Sequence, residues 1–403
     1  MNAPLHSPFT LAGDLDVNGQ PLSRIVERLG QTPCYIYDRS LLDQRVATLR
    51  QGLDPRIQLH YAIKANPMPA LVGHMARLVD GLDVASAGEL KIALDAGMVP
   101  REISFAGPGK RAEELTQAVA AGVLINVESP RELPILAAAS QKLGVPARVA
   151  VRVNPDFDLR ASGMKMGGGA KQFGVDAEAV PALLREIHQL GLQFEGFHLF
   201  AGSQNLKADA IIDAQQKSYA LALRLAAEID QPLKVLNLGG GFGIPYFPGD
   251  QPLTVDPIKQ NLNALAEQLA TDAPGASVVI ELGRYMVGEA GYYVCRVVDR
   301  KLSRGQVFLV TDGGMHHHLA ASGNFGQVLR KNYPVSIIGG GPETEVASVV
   351  GPLCTPLDLL GDKMALPKAE PGALVVIHQS GAYGRSASPR DFLGHPEVVE
   401  TLV

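Results

Sequence analysis

QLHYAIKA, residues 58–65, is a short β-rich apolar run that carries a lysine, Lys64, at its end. Seven comparable runs follow: LDVAS (82–86), ISFAG (103–107), VLINVES (123–129), ARVAVRVNP (147–155), FEGFHLF (194–200), KVLNLGGG (234–241) and SVVIELGR (277–284). Ala- and Leu-rich stretches with helical periodicity separate them, among them GELKIALDAG (88–97), PALLREIHQLG (181–191) and DAQQKSYALALRLAAEI (213–229). Repeated strand–helix alternation makes this an α/β chain with a parallel sheet. Eight strands over roughly 250 residues predict a closed (β/α)8 TIM barrel, because an open doubly wound sheet usually has fewer.

Beyond about residue 285 the texture changes. YYVCRVVDRKL (292–302), QVFLVTDG (306–313), PVSIIGG (334–340) and GALVVIHQ (372–379) alternate or run apolar without long helices between them. They predict a C-terminal all-β domain of sandwich or barrel-like form. The expected division is 35–284 for the barrel, with 1–34 and 285–403 forming the β domain. No internal repeat or low-complexity tract is visible.

With 403 residues, 46% hydrophobic and 19% charged, the chain suits a globular protein with a substantial core. A net charge of −5 gives no basic footprint for nucleic acid, and the dispersed Lys and Arg offer nothing to an anionic membrane surface. The opening MNAPLHSPFTLAG does not read as a secretory signal, and no run of about 18 apolar residues predicts a membrane span. Cys34, Cys295 and Cys354 are far apart and odd in number, against a disulfide framework or a cysteine zinc site. A reduced, cytoplasmic protein is the simplest expectation.

In such barrels the chemistry sits at the C-terminal ends of the strands. Those positions hold Lys64, Ser86, Glu128, Arg152, Asn154, His198, the glycines 239–241, and Glu281 with Arg284. Lys64 is either a snorkelling edge residue or a desolvated amine able to form a Schiff base. GGGFG (239–243) is either an ordinary tight loop or a phosphate cradle of free backbone N–H groups. Glu281 is either a surface acid or a buried carboxylate facing a protonated ring nitrogen, the partner a pyridoxal phosphate site requires. Cys354, in GPLC, is either a small core residue or a proton donor to a carbanion. His316, His317 and His318 tempt a metal assignment, but consecutive side chains on a strand diverge. No metal is expected there.

Taken in order, YAIKAN (61–66), DVASAGEL (83–90), RVNPD (152–156), GFHLFAGSQ (196–204), GGGFG, ELGRYMV (281–287), GPLC (351–354) and GAYG (381–384) resemble the fold-type III pyridoxal-phosphate decarboxylases. This is the family of diaminopimelate, ornithine and arginine decarboxylases, and the likeness covers nearly the whole chain. It implies a pyridoxal 5'-phosphate cofactor bound to the barrel and a homodimer whose active sites are shared across the interface. It further implies that Lys64 is the Schiff-base lysine and Glu281 the pyridinium partner. Ser86, Arg152 and Phe200 fall among the implied cofactor contacts, and Ser203, Gly240, Gly241, Gly283, Arg284 and Tyr383 among the phosphate contacts. Cys354, reaching the partner chain's cofactor, is the implied proton donor, with His198 as a further catalytic residue. Asp312, Asn324 and Thr355 would face the substrate.

Three departures bear on the substrate. Phe200 stands where the family usually stacks a histidine on the cofactor ring, and His198 lies two residues earlier. Thr355 replaces the acid that commonly follows the catalytic cysteine and binds a distal amine. After Asp312 the sequence GGMHHHLAASGNFGQ lacks the arginine and tyrosine that typically hold the distal carboxylate of diaminopimelate. That stretch is similar to the subfamily associated with exosortase and exopolysaccharide gene clusters, and to decarboxylases of carrier-bound amino acids. A pocket for a charged distal end should keep its ion partner, because an unpaired desolvated charge is costly. The expectation is therefore decarboxylation of a modified or carrier-tethered amino acid. Diaminopimelate, ornithine or lysine decarboxylation, a racemase and a non-catalytic cofactor-binding homologue are the alternatives. Glu281 speaks against a racemase, which usually has an arginine at the ring nitrogen.

Overall fold

A computed structural model describes residues 13–157, 164–165, 167–200, 202–228, 232–247, 249–325, 327 and 330–403. Residues 1–12 of the expected N-terminal segment, Ala201 of GFHLFAGSQ, Ile229 of the 213–229 stretch and Gly326 of the post-Asp312 stretch lie outside the described residues. The described residues form two compact units, one within 46–244 and 253–285, the other within 13–45, 245–252 and 286–403.

The first unit is the barrel. Its strands are β1 (Ile57–Ala62), β2 (Gly81–Val84), β3 (Ile103–Phe105), β4 (Leu124–Val127), β5 (Arg148–Asn154), β6 (Gln193–His198), β7 (Val235–Gly240) and β8 (Ser277–Leu282). Each pairs in parallel with the next, and β8 pairs with β1, so the sheet closes. Helices α1 (Pro69–Met75), α2 (Ala87–Asp95), α3 (Ala112–Ala121), α4 (Glu132–Leu143), α5 (Val180–Gln189), α6 (Ala208–Ala226) and α7 (Asp256–Asp272) follow β1 to β7 in turn. Alternation decides the faces: Ile57, Leu59 and Tyr61 share one buried face of β1, while His60 and Ala62 belong to the opposite face. Helix starts follow local chemistry as well. The Ser86 hydroxyl accepts the Glu89 N–H at 3.2 Å, and the Glu89 carboxylate accepts the Ala85 N–H at 2.7 Å, together capping α2.

The second unit is a mixed sheet built on one long strand, Gly291–Ser303. Its first half pairs antiparallel with Cys34–Tyr37 on one side and Leu374–Ile377 on the other; its second half pairs with Gln306–Thr311. Two pairings are parallel: Gln306–Thr311 with Thr344–Val350, and Cys34–Tyr37 with Val399–Leu402. Residues 35–45, expected with the barrel, fall in this unit. The reason is pairing, since the apolar strand Cys34–Tyr37 spends both edges here. A helix, Leu22–Leu29, lays Leu22, Ile25 and Val26 against Cys34, Ile36, Val294 and Val376. Among the described residues, no helix is long and apolar enough to cross a membrane.

Candidate active site

The barrel gathers most of the expected residues at its strand ends. Lys64 lies just past β1, in a 3-10 turn of Ile63–Ala65, and its side chain is exposed. Its Nζ is 5.4 Å from the centroid of the Phe200 ring. Gly239 permits that placement, because a Cβ there would stand 2.9 Å from Phe200 Cδ2. The turn also packs on Gly283, where a Cβ would lie 3.0 Å from that of Ala65. Arg284 follows, half-buried, at the start of the short helix Arg284–Val287.

Glu281 on β8 is buried, and one oxygen takes both of its neighbours. Asn237 Nδ2 reaches Oε2 at 3.3 Å, and His198 Nε2 lies 3.2 Å from the same atom. Oε1 makes no hydrogen bond among the described residues. Burial opposes the charge on Glu281, but His198, Lys64 and Arg152 overcome it and hold the carboxyl well below the usual carboxylate range. An ionised carboxylate with one unspent oxygen is the group a protonated ring nitrogen needs.

Gly241 supplies a backbone cradle. Its φ is +76°, and a Cβ would run into the Gly202 carbonyl oxygen. Only glycine lets this turn sit against Gly202–Ser203, with the Asn205 N–H bonded to the Gly241 carbonyl at 2.9 Å. Ser203 is half-buried in a two-residue strand opposite Met164–Lys165. Ser86 has its hydroxyl spent on the α2 cap, so its side chain serves the helix first.

Arg152 is buried and belongs to a set of four charges. Its Nη1 is 3.1 Å from Glu128 Oε1, and its guanidinium lies 5.1 Å from the Phe173 ring centroid. Lys110 Nζ is 3.2 Å from Glu132 Oε2 and donates to the Gly107 and Asn126 carbonyls. Burial raises the pKa of Glu128, but Arg152, Lys110 and the Gly107 and Gly174 N–H groups win and hold it low. Two cations and two anions in one cluster give Arg152 a fixed position.

The β unit holds the remaining candidates. Cys354 is an exposed free thiol. The Thr355 hydroxyl accepts the Leu357 N–H at 3.3 Å, and Asn324 Nδ2 donates to the Leu357 carbonyl at 3.2 Å. Asp358, missed in the sequence, ties this loop to the stretch after Asp312 by accepting N–H groups from Leu353 at 2.9 Å and Met315 at 2.6 Å. Asp312 also has both oxygens taken, by the Thr32 hydroxyl and by the Arg296 N–H at 2.8 Å. Tyr383 is half-buried with a φ of +53°. Arg330 was missed too: Nη1 donates to the Ser322 carbonyl at 3.2 Å, while Nε and Nη2 have no partner among the described residues.

His316, His317 and His318 are buried and turn to different partners. His317 Nε2 lies 3.0 Å from the Pro396 carbonyl and His318 Nε2 lies 2.9 Å from Ser380 Oγ. Burial pushes all three down, to about 3, about 4 and about 3. Among the described residues no group of three His, Cys, Asp or Glu is placed to hold a metal.

Within the barrel, sequence reading also missed an inward polar row. His60 Nδ1 is 3.1 Å from Asp83 Oδ1, that oxygen accepts the Ser104 hydroxyl, and Asn126 Nδ2 reaches Ser104 Oγ at 3.4 Å. Their signal was every second position on β1 to β4, visible only once the inner face is known.

Residues 39–288 match the family model described as the pyridoxal-binding domain of pyridoxal-dependent decarboxylases. The chain is 39% identical over 380 residues to the L-glutamyl-[BtrI acyl-carrier protein] decarboxylase of Niallia circulans, covering 92% of this chain and 89% of that one. It is 32% identical to the diaminopimelate decarboxylase of Aquifex aeolicus, covering 97% and 91%. The crystal structure of Helicobacter pylori diaminopimelate decarboxylase complexed with L-lysine superposes with a TM-score of 0.84 at 28% identity, covering 94% of each chain.

Proposed function

The chain belongs to the pyridoxal-dependent decarboxylases and is a pyridoxal-phosphate-dependent amino-acid decarboxylase; we propose that its substrate is an amino acid tethered to a carrier protein or otherwise modified at its distal end. One observation carries that choice. Asp358 in the Cys354 loop and Asp312 before the histidine stretch each have both oxygens engaged by hydrogen-bond donors of the fold. Neither carboxylate is left unengaged as a dedicated partner for a distal ammonium such as that of lysine or ornithine, and Thr355 and Asn324 add only neutral groups. A free ammonium buried there would lack an ion partner. The Niallia relative, which by name decarboxylates a carrier-bound glutamyl group, supports the reading.

Pyridoxal phosphate, when bound, supplies the electron sink for the broken Cα–carboxylate bond. In the proposed site the Lys64 amine would anchor the cofactor covalently and serve as the nucleophile that frees the amine product. Glu281 holds the ring-nitrogen proton at Oε1 while His198 and Asn237 hold Oε2 in place. Phe200 presents an apolar face, which keeps stacking but offers no polar contact. Backbone N–H groups of Gly240 and Gly241, with Ser203, Gly283 and Arg284, hold the phosphate. Cys354 of the partner subunit gives its thiol proton to Cα, which makes the working enzyme a homodimer.

Carbon dioxide release from a glutamyl-loaded carrier protein, compared with free diaminopimelate, lysine, ornithine and arginine, tests the substrate. Turnover of the loaded carrier alone is expected; robust turnover of any free amino acid refutes the proposal.

A further inference from the structure

The inward polar row of the barrel does not stop at Asp83. In the pairing of β1 with β8, His60 is the direct register partner of Glu281, and in that of β1 with β2 it is the partner of Gly81. A Cβ on Gly81 would collide with the His60 ring, so glycine makes the room for an imidazole there. The imidazole is buried, tied through Nδ1 to Asp83 on β2, and its Nε2 has no hydrogen-bond partner among the described residues. Asp83 is itself held by Ser104 on β3, so the ring cannot swing away without losing a charged partner. Two imidazole–carboxylate pairs thus share the barrel interior: His60 with Asp83, and His198 with Glu281. None of the mechanism described above uses the first pair.

We propose that His60 is a positioning residue for Glu281: anchored by Asp83 on one neighbouring strand, its imidazolium stands beside Glu281 on the other and holds that carboxylate ionised, leaving Oε1 for the cofactor's ring nitrogen. The inference rests on the reading of Glu281 as the ring-nitrogen partner. A buried carboxylate normally gains a proton because burial disfavours its charge, and a nearby cation reverses that preference. The charges that act on His60 are those of Asp83, of Glu281 from β8 and, at the entry to β2, of Asp80, which is itself ion-paired to Arg50. Burial works against a charged imidazole, yet these three outweigh it and raise its affinity for a proton. His60 therefore answers Glu281 from the side opposite His198, and the charge on Glu281 does not depend on His198 alone.

The test uses the holoenzyme and reads the cofactor's absorbance against pH, a property that loss of packing alone would not shift in a defined direction. With Glu281 less firmly ionised, the ring nitrogen loses its proton earlier. H60Q is expected to move the midpoint of that titration down by about one pH unit, tenfold in the proton equilibrium, and to weaken cofactor binding about tenfold. D83N should shift it in the same direction. E281Q should remove the effect, and H60Q added to E281Q should then change nothing further. A curve for H60Q that superimposes on the wild type, while E281Q shifts, overturns the role of His60 and leaves Glu281 standing. If E281Q leaves the curve unchanged, the reading of Glu281 fails and the inference falls with it. Should H60Q not fold, histidine-selective 15N NMR of the wild-type holoenzyme decides: an imidazolium at neutral pH is expected, and a neutral His60 refutes it.

Discussion

Gly241→Ala probes the cradle most directly, and its cost can be worked from the geometry. At a φ of +76° an alanine Cβ meets its own backbone, a penalty of about 1–2 kcal/mol. The same Cβ would sit 3.1 Å from the Gly202 carbonyl carbon and closer still to its oxygen, so the turn must move. Such overpacking adds about 1–3 kcal/mol. The stiffer unfolded chain returns about 0.4–1 kcal/mol. The net loss is about 1–5 kcal/mol, centred near 3, or roughly 6–12 °C at that centre in the Tm of a domain of this size. Gly191 is the matched control, since its φ is +66° but nothing lies within 4 Å of its Cβ. Gly191→Ala should therefore cost only about 1 kcal/mol, the conformational part. Thermal unfolding of the two apo variants measures this difference, and titration with pyridoxal phosphate measures a second one. G241A displaces the N–H groups proposed to hold the phosphate and should weaken cofactor binding at least about tenfold, whereas G191A should bind normally. Equal destabilisation by the two variants, with cofactor affinity unchanged in both, would refute both the strained cradle and its role.

If Cys354 acts across a dimer, K64A and C354A are each inactive alone but complement when mixed and reassembled. Random pairing makes half the dimers mixed, each with one intact site of two, so activity returns to about a quarter of the wild type; no recovery argues for a site within one chain. Acid should destabilise the protein through His316, His317 and His318. Their folded-state pKa values, about 3, about 4 and about 3, lie below that of an unfolded histidine. Between the two values the unfolded chain binds more protons, so stability is full above about pH 6.5 and declines as pH falls toward 4. Melting curves from pH 7.5 to 5 should show Tm dropping steadily, and replacing His318 with Gln should flatten the slope. A slope that the replacement leaves unaltered counts against burial of a neutral ring.

The candidate site was legible wherever chemistry is local in the chain. Runs of β-branched residues alternating with helical stretches announce the barrel, and the strand-end rule then picks Lys64, Arg152, His198 and Glu281 without any contact information. Gly241 is legible as a glycine in a turn, although its carbonyl neighbour at Gly202 is not. Asp312 shows where such reading ends. The resemblance implies a substrate contact there, and no sequence reading shows that one of its oxygens accepts from Thr32, which lies 280 residues earlier.

By itself, then, the sequence determined the alternation, the identity of the strand-end groups and the order of motifs that places the chain among the decarboxylases, because each depends on residues near one another in the chain. Tertiary structure alone decided that Cys34–Tyr37 joins the β unit, that Asp358 ties two loops together, and that His60 stands between Asp83 and Glu281. Those are matters of strand register and long-range pairing. Period-two alternation says which residues share a face, but only closure of the sheet says which of them meet.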